Sequence, residues 1–159
     1  MRDKKLSNNF TLFEMIKSKK ASELGIENIP DCEQIENITE LVRKALQPGR
    51  YAIGKPVNVN SGFRNEQVNA AVNGSSRSDH LEGMAADVTC TNKKDNVELF
   101  NFFLTIDFKQ LIWYFAEDKY PTFLHISYDP DDNRGEVLYC YHGIKNGKPV
   151  RKYRYTKNP

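Results

Sequence analysis

The sequence has little of what marks several classes of protein. No stretch approaches the roughly 18 consecutive apolar residues that a bilayer-spanning helix needs, so we expect no integral membrane protein. The three cysteines, Cys32, Cys90 and Cys140, are far apart and form no C-x-x-C pair, which favours reduced structural thiols over a disulfide framework. The 23 basic and 21 acidic residues nearly balance, leaving a formal charge of +2. This near balance argues against a protein dedicated to binding nucleic acid.

The pattern of the N-terminal residues does not predict a secretory leader. Residues 1–5 are basic, as in a signal peptide, but Ser7, Asn8 and Asn9 interrupt the apolar run that should follow. We therefore expect a cytoplasmic protein, unless a separate route releases it.

What the chain does contain is enough apolar material for one core. Its 159 residues have the length of a single ordinary domain, and 39% of them are hydrophobic, including nine Phe and eight Tyr. We expect a monomer with one domain over residues 1–142, followed by a basic tail over residues 143–159. The tail carries six Lys and Arg residues after His142 and no acid. Such a run indicates a solvated terminus, although contact with an anionic polymer stays open.

The order of predicted elements indicates an α+β domain. Apolar spacing predicts a helix over residues 12–20, with Thr11 as N-cap and Glu14 completing a capping box, and a second helix closed by Pro48-Gly49. Further helices are predicted at 65–72 and 95–104, and strands at 57–61, 84–89, 111–115, 123–128 and 135–141. We expect a small antiparallel sheet with helices packed around it.

Two short segments carry the chemistry. His80 lies in a Ser-rich and Gly-containing loop that leads into the predicted strand of Asp87. Period-two alternation places Asp87 on the wetter face of its strand and His125 on the polar face of another. If these strands pair, the two Cβ atoms should lie about 4.5–5.5 Å apart. His80 would then complete a triangle of ligands from its loop.

Such a trio suits zinc. Zinc accepts imidazole nitrogen and carboxylate oxygen, and three protein ligands leave a fourth position for water, as in catalytic zinc sites. The alternative is ordinary, because a His beside an Asp is more often a hydrogen-bonded or surface pair than a set of ligands. The residue pattern alone leaves both interpretations open.

Several motifs together resemble the M15 metallopeptidases. The motifs are Ser61-Gly62-Phe63-Arg64, Asn69, Ser78-x-His80-x-x-Gly83-x-Ala85-x-Asp87 and Phe123-Leu124-His125-Ile126-Ser127. The resemblance spans about residues 6–140, and Leu6-Ser7-x-Asn9-Phe10-Thr11-Leu12 and Asn133-Arg134-Gly135-Glu136-Val137-Leu138 resemble a phage and prophage branch. That family includes D-alanyl-D-alanine carboxypeptidases and dipeptidases and L-alanyl-D-glutamate endolysins. It implies a single-domain α+β fold shared with the zinc-binding domain of hedgehog proteins.

The resemblance also implies roles for individual residues. His80, Asp87 and His125 correspond to the zinc ligands, and Arg64 to an arginine that binds substrate and stabilises charge on the attacked carbonyl. A structural salt bridge is the alternative for Arg64. Ser78 corresponds to a position that supports the substrate or the loop, with an ordinary loop serine as the alternative.

The sequence departs from the family at the catalytic base. Relatives place an acid three residues before the last ligand, where this chain has Thr122, whose hydroxyl is too weak a base. Phage-type relatives often carry an acid at the position of Tyr114. The nearest substitutes are Glu117, which we predict as the base, and Asp118, with solvated turn residues as the alternative. Asp79, beside His80, is a candidate for orienting an imidazole.

Two functions follow from these observations. The first is a zinc-dependent hydrolase of peptidoglycan stem peptides that reaches the cell wall through a phage-type lysis route. The second is a catalytically inactive, zinc-stabilised module that binds cell-wall peptide, or a phage structural component. Thr122 is the residue that favours the second.

Overall fold

A six-stranded sheet is the frame of the structure. The computed structural model describes residues 4–155. The strands are β1 (Val57–Ser61), β2 (Ala85–Cys90), β3 (Gln110–Tyr114), β4 (Leu124–Ser127), β5 (Glu136–Lys145) and β6 (Lys148–Tyr155). Their order across the sheet is β1-β2-β4-β3-β5-β6.

The sheet is antiparallel at every pairing except one, since β3 and β5 run parallel. The α+β prediction is confirmed, and the predicted antiparallel arrangement holds at every pairing except β3 with β5. The cause is topological. β3 and β4 are antiparallel, so the chain leaves β4 near the start of β3, and β5 then enters along the free edge of β3 in the same direction.

The described residues also form six short α-helices. They are α1 (Leu12–Ile16), α2 (Lys19–Leu24), α3 (Cys32–Leu41), α4 (Gln47–Ile53), α5 (Glu66–Ala71) and α6 (Asp95–Phe103). The predicted capping box is confirmed: Thr11 Oγ1 accepts from the Glu14 N–H, and the Glu14 carboxylate accepts from the Thr11 N–H. The first helix nevertheless ends at Ile16, because Ser18 caps a separate helix, α2. Within residues 4–155, no helix has both the length and the apolar character to cross a bilayer.

The predicted helix end at Pro48-Gly49 is wrong. α3 continues through a π turn, Val42–Leu46, into α4, so the helical path reaches Ile53. Pro48 lies in α4, directly after the π turn. Gly49 serves packing instead of termination, because a Cβ there would lie 2.8 Å from the Leu99 Cδ1 of α6.

The two faces of the sheet differ in their cover. Side chains that alternate along β2, β3 and β4 pack with the helices into the main core, and these include Val88, Leu111, Leu124 and Ile126. The opposite face carries a smaller cluster of Ile112, Tyr114, Leu138 and Cys140. All three cysteines are free, as predicted, with Cys32 exposed and the other two buried.

The sequence predicts a solvated tail from residue 143, but residues 143–155 complete β5, turn at 146–147 and form β6. β6 pairs with β5 from Leu138 opposite Tyr155 to Lys145 opposite Lys148. Asn146 and Gly147 connect the strands with φ values of 51° and 73°, as a two-residue hairpin turn requires. The pairing therefore crosses residue 142, while residues 156–159 lie outside the described part of the chain.

Candidate metal centre and cleft

Three elements bring the predicted ligands together. Asp87 on β2 and His125 on β4 are direct cross-strand partners, and His80 reaches them from the loop between α5 and β2. One ligand atom from each residue lies within 4.8 Å of the others. Elsewhere in residues 4–155, no other trio of His, Cys, Asp or Glu side chains converges in this way.

His80 is held by the end of β1. Its Nδ1 lies 2.6 Å from the carbonyl oxygen of Gly62. Because a carbonyl can only accept, Nδ1 carries a proton, and Nε2 faces Asp87 Oδ1 at 3.4 Å. The Arg64 N–H donates in turn to the His80 carbonyl. A ligand imidazole is commonly oriented in this way by a carbonyl on its second nitrogen.

The loop that carries His80 needs Gly83. Its φ is +73°, and a Cβ there would lie 2.6 Å from the carbonyl oxygen of Gln34 on α3. The Gln34 side chain also donates to the Leu81 carbonyl, so α3 supports the loop from outside. The His80 side chain is consequently fixed and buried, with 2% exposure.

The electrostatics of the trio favour an ionised Asp87 and disfavour a charged His80. Burial by itself would raise the pKa of Asp87, but the His80 and His125 imidazoles lower it below its ordinary value. Burial lowers the pKa of His80, and Asp87 offsets part of that change. His125 Nδ1 lies 2.9 Å from the same Asp87 oxygen. An ionised carboxylate between two imidazoles is a donor set that can bind a metal ion.

A cleft of about 680 Å³ opens beside this group. Arg64, Ser78 and Tyr114 line it together with the three candidate ligands. Arg64 Nη2 lies 3.4 Å from Ser78 Oγ, and the Arg64 Nε is buried without a hydrogen-bond partner in residues 4–155. Burial lowers the pKa of Arg64, and the Asp87 charge partly restores it. Arg64 makes no ion pair within the same residues, so the salt-bridge alternative has no support.

The structure does not bring the predicted base to this cleft. Glu117 lies in the turn after β3, where its carboxylate accepts from the backbone N–H of His142 at 2.9 Å and pairs with the His142 ring. It is not among the residues that line the cleft. The turn directs Glu117 toward β5, which leaves its predicted catalytic role without a structural basis. Thr122 also lies outside the cleft lining, and its hydroxyl accepts from Lys93 at 3.3 Å.

Two acids line the cleft, Asp79 and Asp87. Asp87 belongs to the metal-binding trio. The Asp79 carboxylate lies 2.9 Å from Lys109 Nζ, so an ion pair occupies it. No free carboxylate therefore faces the trio from the described lining.

The sequence reading missed one wall of the cleft. Arg151, Tyr153 and Tyr155 of β6 line it, together with Leu138 of β5. The signal that could have revealed this wall is Asn146-Gly147, since this dipeptide between strand-like segments predicts a tight hairpin.

Comparison with known proteins identifies the family. A family model described as Peptidase M15 matches residues 8–127. The matched segment contains Arg64, Ser78 and the three candidate ligands, and it ends before β5 and β6 begin. A search of curated proteins finds no match.

Proposed function

The chain belongs to the peptidase M15 family, and on that premise we propose that it is a zinc-dependent peptidase acting on stem peptides of bacterial peptidoglycan. The observation that carries this proposal is the convergence of His80, Asp87 and His125 beside an open cleft. Two nitrogens and one carboxylate oxygen form the donor set of catalytic rather than structural zinc.

The three ligands would hold the metal through His80 Nε2, an Asp87 carboxylate oxygen and a nitrogen of His125. A zinc ion bound there would supply Lewis-acid activation of water and of the scissile carbonyl. The Gly62 carbonyl keeps His80 in the tautomer that this role requires.

Arg64 would hold the substrate. A guanidinium stays ionised and offers several donors in a fixed plane, which suits a peptide carboxylate or the developing oxyanion. Support comes from its buried and unpartnered Nε and from Ser78, which contacts its Nη2. Ser78 would thereby set the direction of the guanidinium.

A second candidate function is a zinc-stabilised module that binds such peptides without cutting them, or a phage structural component of that kind. The observation that favours it is that each candidate acid already has a partner. Asp87 faces two imidazoles, Asp79 pairs with Lys109, and Glu117 pairs with His142 outside the cleft. Hydrolysis would then lack its proton acceptor.

One experiment separates the two functions. Zinc-loaded protein is incubated with the synthetic stem peptide L-Ala-γ-D-Glu-L-Lys-D-Ala-D-Ala, and mass spectrometry follows the fragments. Cleavage by the wild type and not by Asp87→Asn supports the peptidase. Fragment masses also report whether the L-Ala-D-Glu or the D-Ala-D-Ala bond is cut. Binding of the peptide without fragments would support the module and contradict the peptidase.

A further inference from the structure

The C-terminal hairpin forms a wall of the cleft that lies outside the family match. β6 is the edge strand of the sheet, and alternation along it turns Arg151, Tyr153 and Tyr155 to the cleft side. Arg154, on the opposite face, places its guanidinium 4.9 Å from the ring of Tyr141. Of Arg151 and Arg154, only Arg151 therefore faces the cleft.

Arg151 is a cation without an acidic partner. Two other cations of the cleft are neutralised: Lys109 by Asp79 and Asp129, and Arg134 by Asp132 and Glu136. In contrast, neither Arg64 nor Arg151 forms an ion pair with any residue from 4 to 155. Arg77 lines the cleft as well and is also unpaired there, and the side chains of both Arg77 and Arg151 are exposed.

Arg151 contacts an aromatic platform, the ring of Tyr114. Its Cζ lies 5.2 Å from the centre of the Tyr114 ring, close enough for a cation–π contact. Tyr114 is itself buried, because it stacks on Phe123 with ring centres 4.2 Å apart. The Tyr114 and Tyr153 hydroxyls lie 3.3 Å apart, which ties the platform to β6.

Arg64 and Arg151 approach the cleft from opposite ends of the sheet. Arg64 follows β1, at one edge, and Arg151 lies on β6, at the other. Tyr114 of the central strand β3 lines the cleft together with both arginines and contacts Arg151 through its ring. Three unpaired guanidinium groups line one cleft, those of Arg64, Arg77 and Arg151, and they repel one another until an anion binds. The cleft is thus prepared for a ligand with more than one negative group.

We infer that Arg151 is a specificity-determining residue that binds one carboxylate of a peptide with two free carboxylates, while Arg64 takes the other. This inference rests on the proposed function, because it names the class of peptide that the same cleft accepts. A stem peptide with a γ-linked D-glutamate has two such groups, the glutamate α-carboxylate and the C-terminal carboxylate. A planar guanidinium can bind either with two parallel hydrogen bonds.

The test compares three synthetic peptides. The parent is L-Ala-γ-D-Glu-L-Lys-D-Ala-D-Ala carrying an N-terminal fluorophore, and each analogue replaces one carboxylate by a carboxamide. Binding to zinc-loaded protein is measured by fluorescence anisotropy, and mass spectrometry follows cleavage in the same samples. We expect the wild type to bind one of the two analogues about 10- to 100-fold more weakly than the parent, because that analogue lacks the carboxylate that Arg151 binds. This is the range expected when a hydrogen bond to a charged group is lost.

The decisive variants are Arg151→Met and its matched control Arg154→Met. Arg151→Met is expected to bind the parent and that analogue equally, whereas Arg154→Met keeps the wild-type difference. Arg151→Lys retains the charge without the planar guanidinium and is expected to keep part of the difference, a result that a merely structural defect would not give.

Two results would overturn the inference. One is that Arg151→Met still binds the parent peptide more tightly than that analogue. The other is a wild type that binds all three peptides equally or binds none. Absence of cleavage alongside intact, Arg151-dependent discrimination would instead refute the peptidase and leave the assignment of Arg151 standing.

Discussion

One face of the central strands packs into the apolar core and the other carries the polar cleft, and the four residues of β4 contribute to both. Leu124 and Ile126 point into the helix-covered core and are fully buried. His125, between them, points to the opposite face and meets His80 and Asp87. Side chains on the covered face hold the domain together through apolar burial, whereas those on the cleft face bring polar groups close to one another. Substitutions at adjacent positions of β4 should therefore change either metal binding or the free energy of unfolding, and not both.

The largest expected effect is loss of the metal. His125→Ala removes one of three ligands, so zinc affinity should fall by more than about 100-fold, because losing even an outer hydrogen-bond partner costs 10–100-fold. Zinc content and chelator competition measure this. His142→Ala is the matched control, since His142 is exposed and pairs with Glu117 outside the cleft. Equal zinc content in His125→Ala and wild type would contradict the metal site.

The neighbouring residue on the other face should behave in the opposite way. Ile126→Ala leaves a cavity in the core and should lower the free energy of unfolding by about 2–5 kcal/mol. Urea denaturation of zinc-free protein measures the change. The folded variant should still bind one zinc ion per chain with wild-type affinity. A parallel loss of zinc affinity would show that the two faces are not independent.

Gly62 is the position where we expect the two faces to be coupled. Its carbonyl accepts from His80, and its missing side chain leaves room for the Met15 carbonyl, which a Cβ would overlap. Gly62→Ala should therefore shift the end of β1 and reduce zinc affinity by about 10–100-fold, as expected for a disturbed hydrogen-bond partner of a ligand. Calorimetric zinc titration tests this. Ser61→Ala, one residue earlier, adds no atoms and should retain wild-type affinity.

The smallest effect concerns two buried thiols on opposite faces. Burial raises the pKa of the Cys90 thiol to about 11 and raises that of Cys140 as well, so little reactive thiolate exists at pH 8. Iodoacetamide should label exposed Cys32 alone in native protein, as peptide mass mapping would show. Gly147→Val strains the hairpin turn by about 1–2 kcal/mol and should speed labelling of Cys140 by about 5- to 30-fold. Faster labelling of Cys90 in that variant would contradict separate protection of the two faces.

Local patterns in the sequence predicted much of the frame. Thr11 and Glu14 form the expected capping box, because its two hydrogen bonds join residues three positions apart. Alternation along β2 and β4 correctly placed Asp87 and His125 on one face, and their strands pair as expected. Each of these features depends on a few neighbouring residues or on a strict period of two.

Other features depended on partners distant in sequence, and there the predictions failed. Pro48-Gly49 resembles a helix end, but the π turn before it and the approach of α6 make it part of a continuing helix. Glu117 is close to His125 in sequence and resembles a free acid, but the turn after β3 places its carboxylate against His142. The basic C-terminal run resembles a solvated tail, but β5 offers it an edge to pair with.

By itself, the sequence determined the family, the trio of candidate ligands and the face on which two of them lie, because motif spacing and strand alternation are local properties. Only the tertiary structure decided what else faces that trio. The crossing from β4 to β5, and then the hairpin to β6, carry Arg151 and Tyr153 from outside the family match into the cleft. Ion pairs formed across strands occupy Asp79 and Glu117. Such contacts depend on strand order and sheet shape, which no short stretch of the chain encodes.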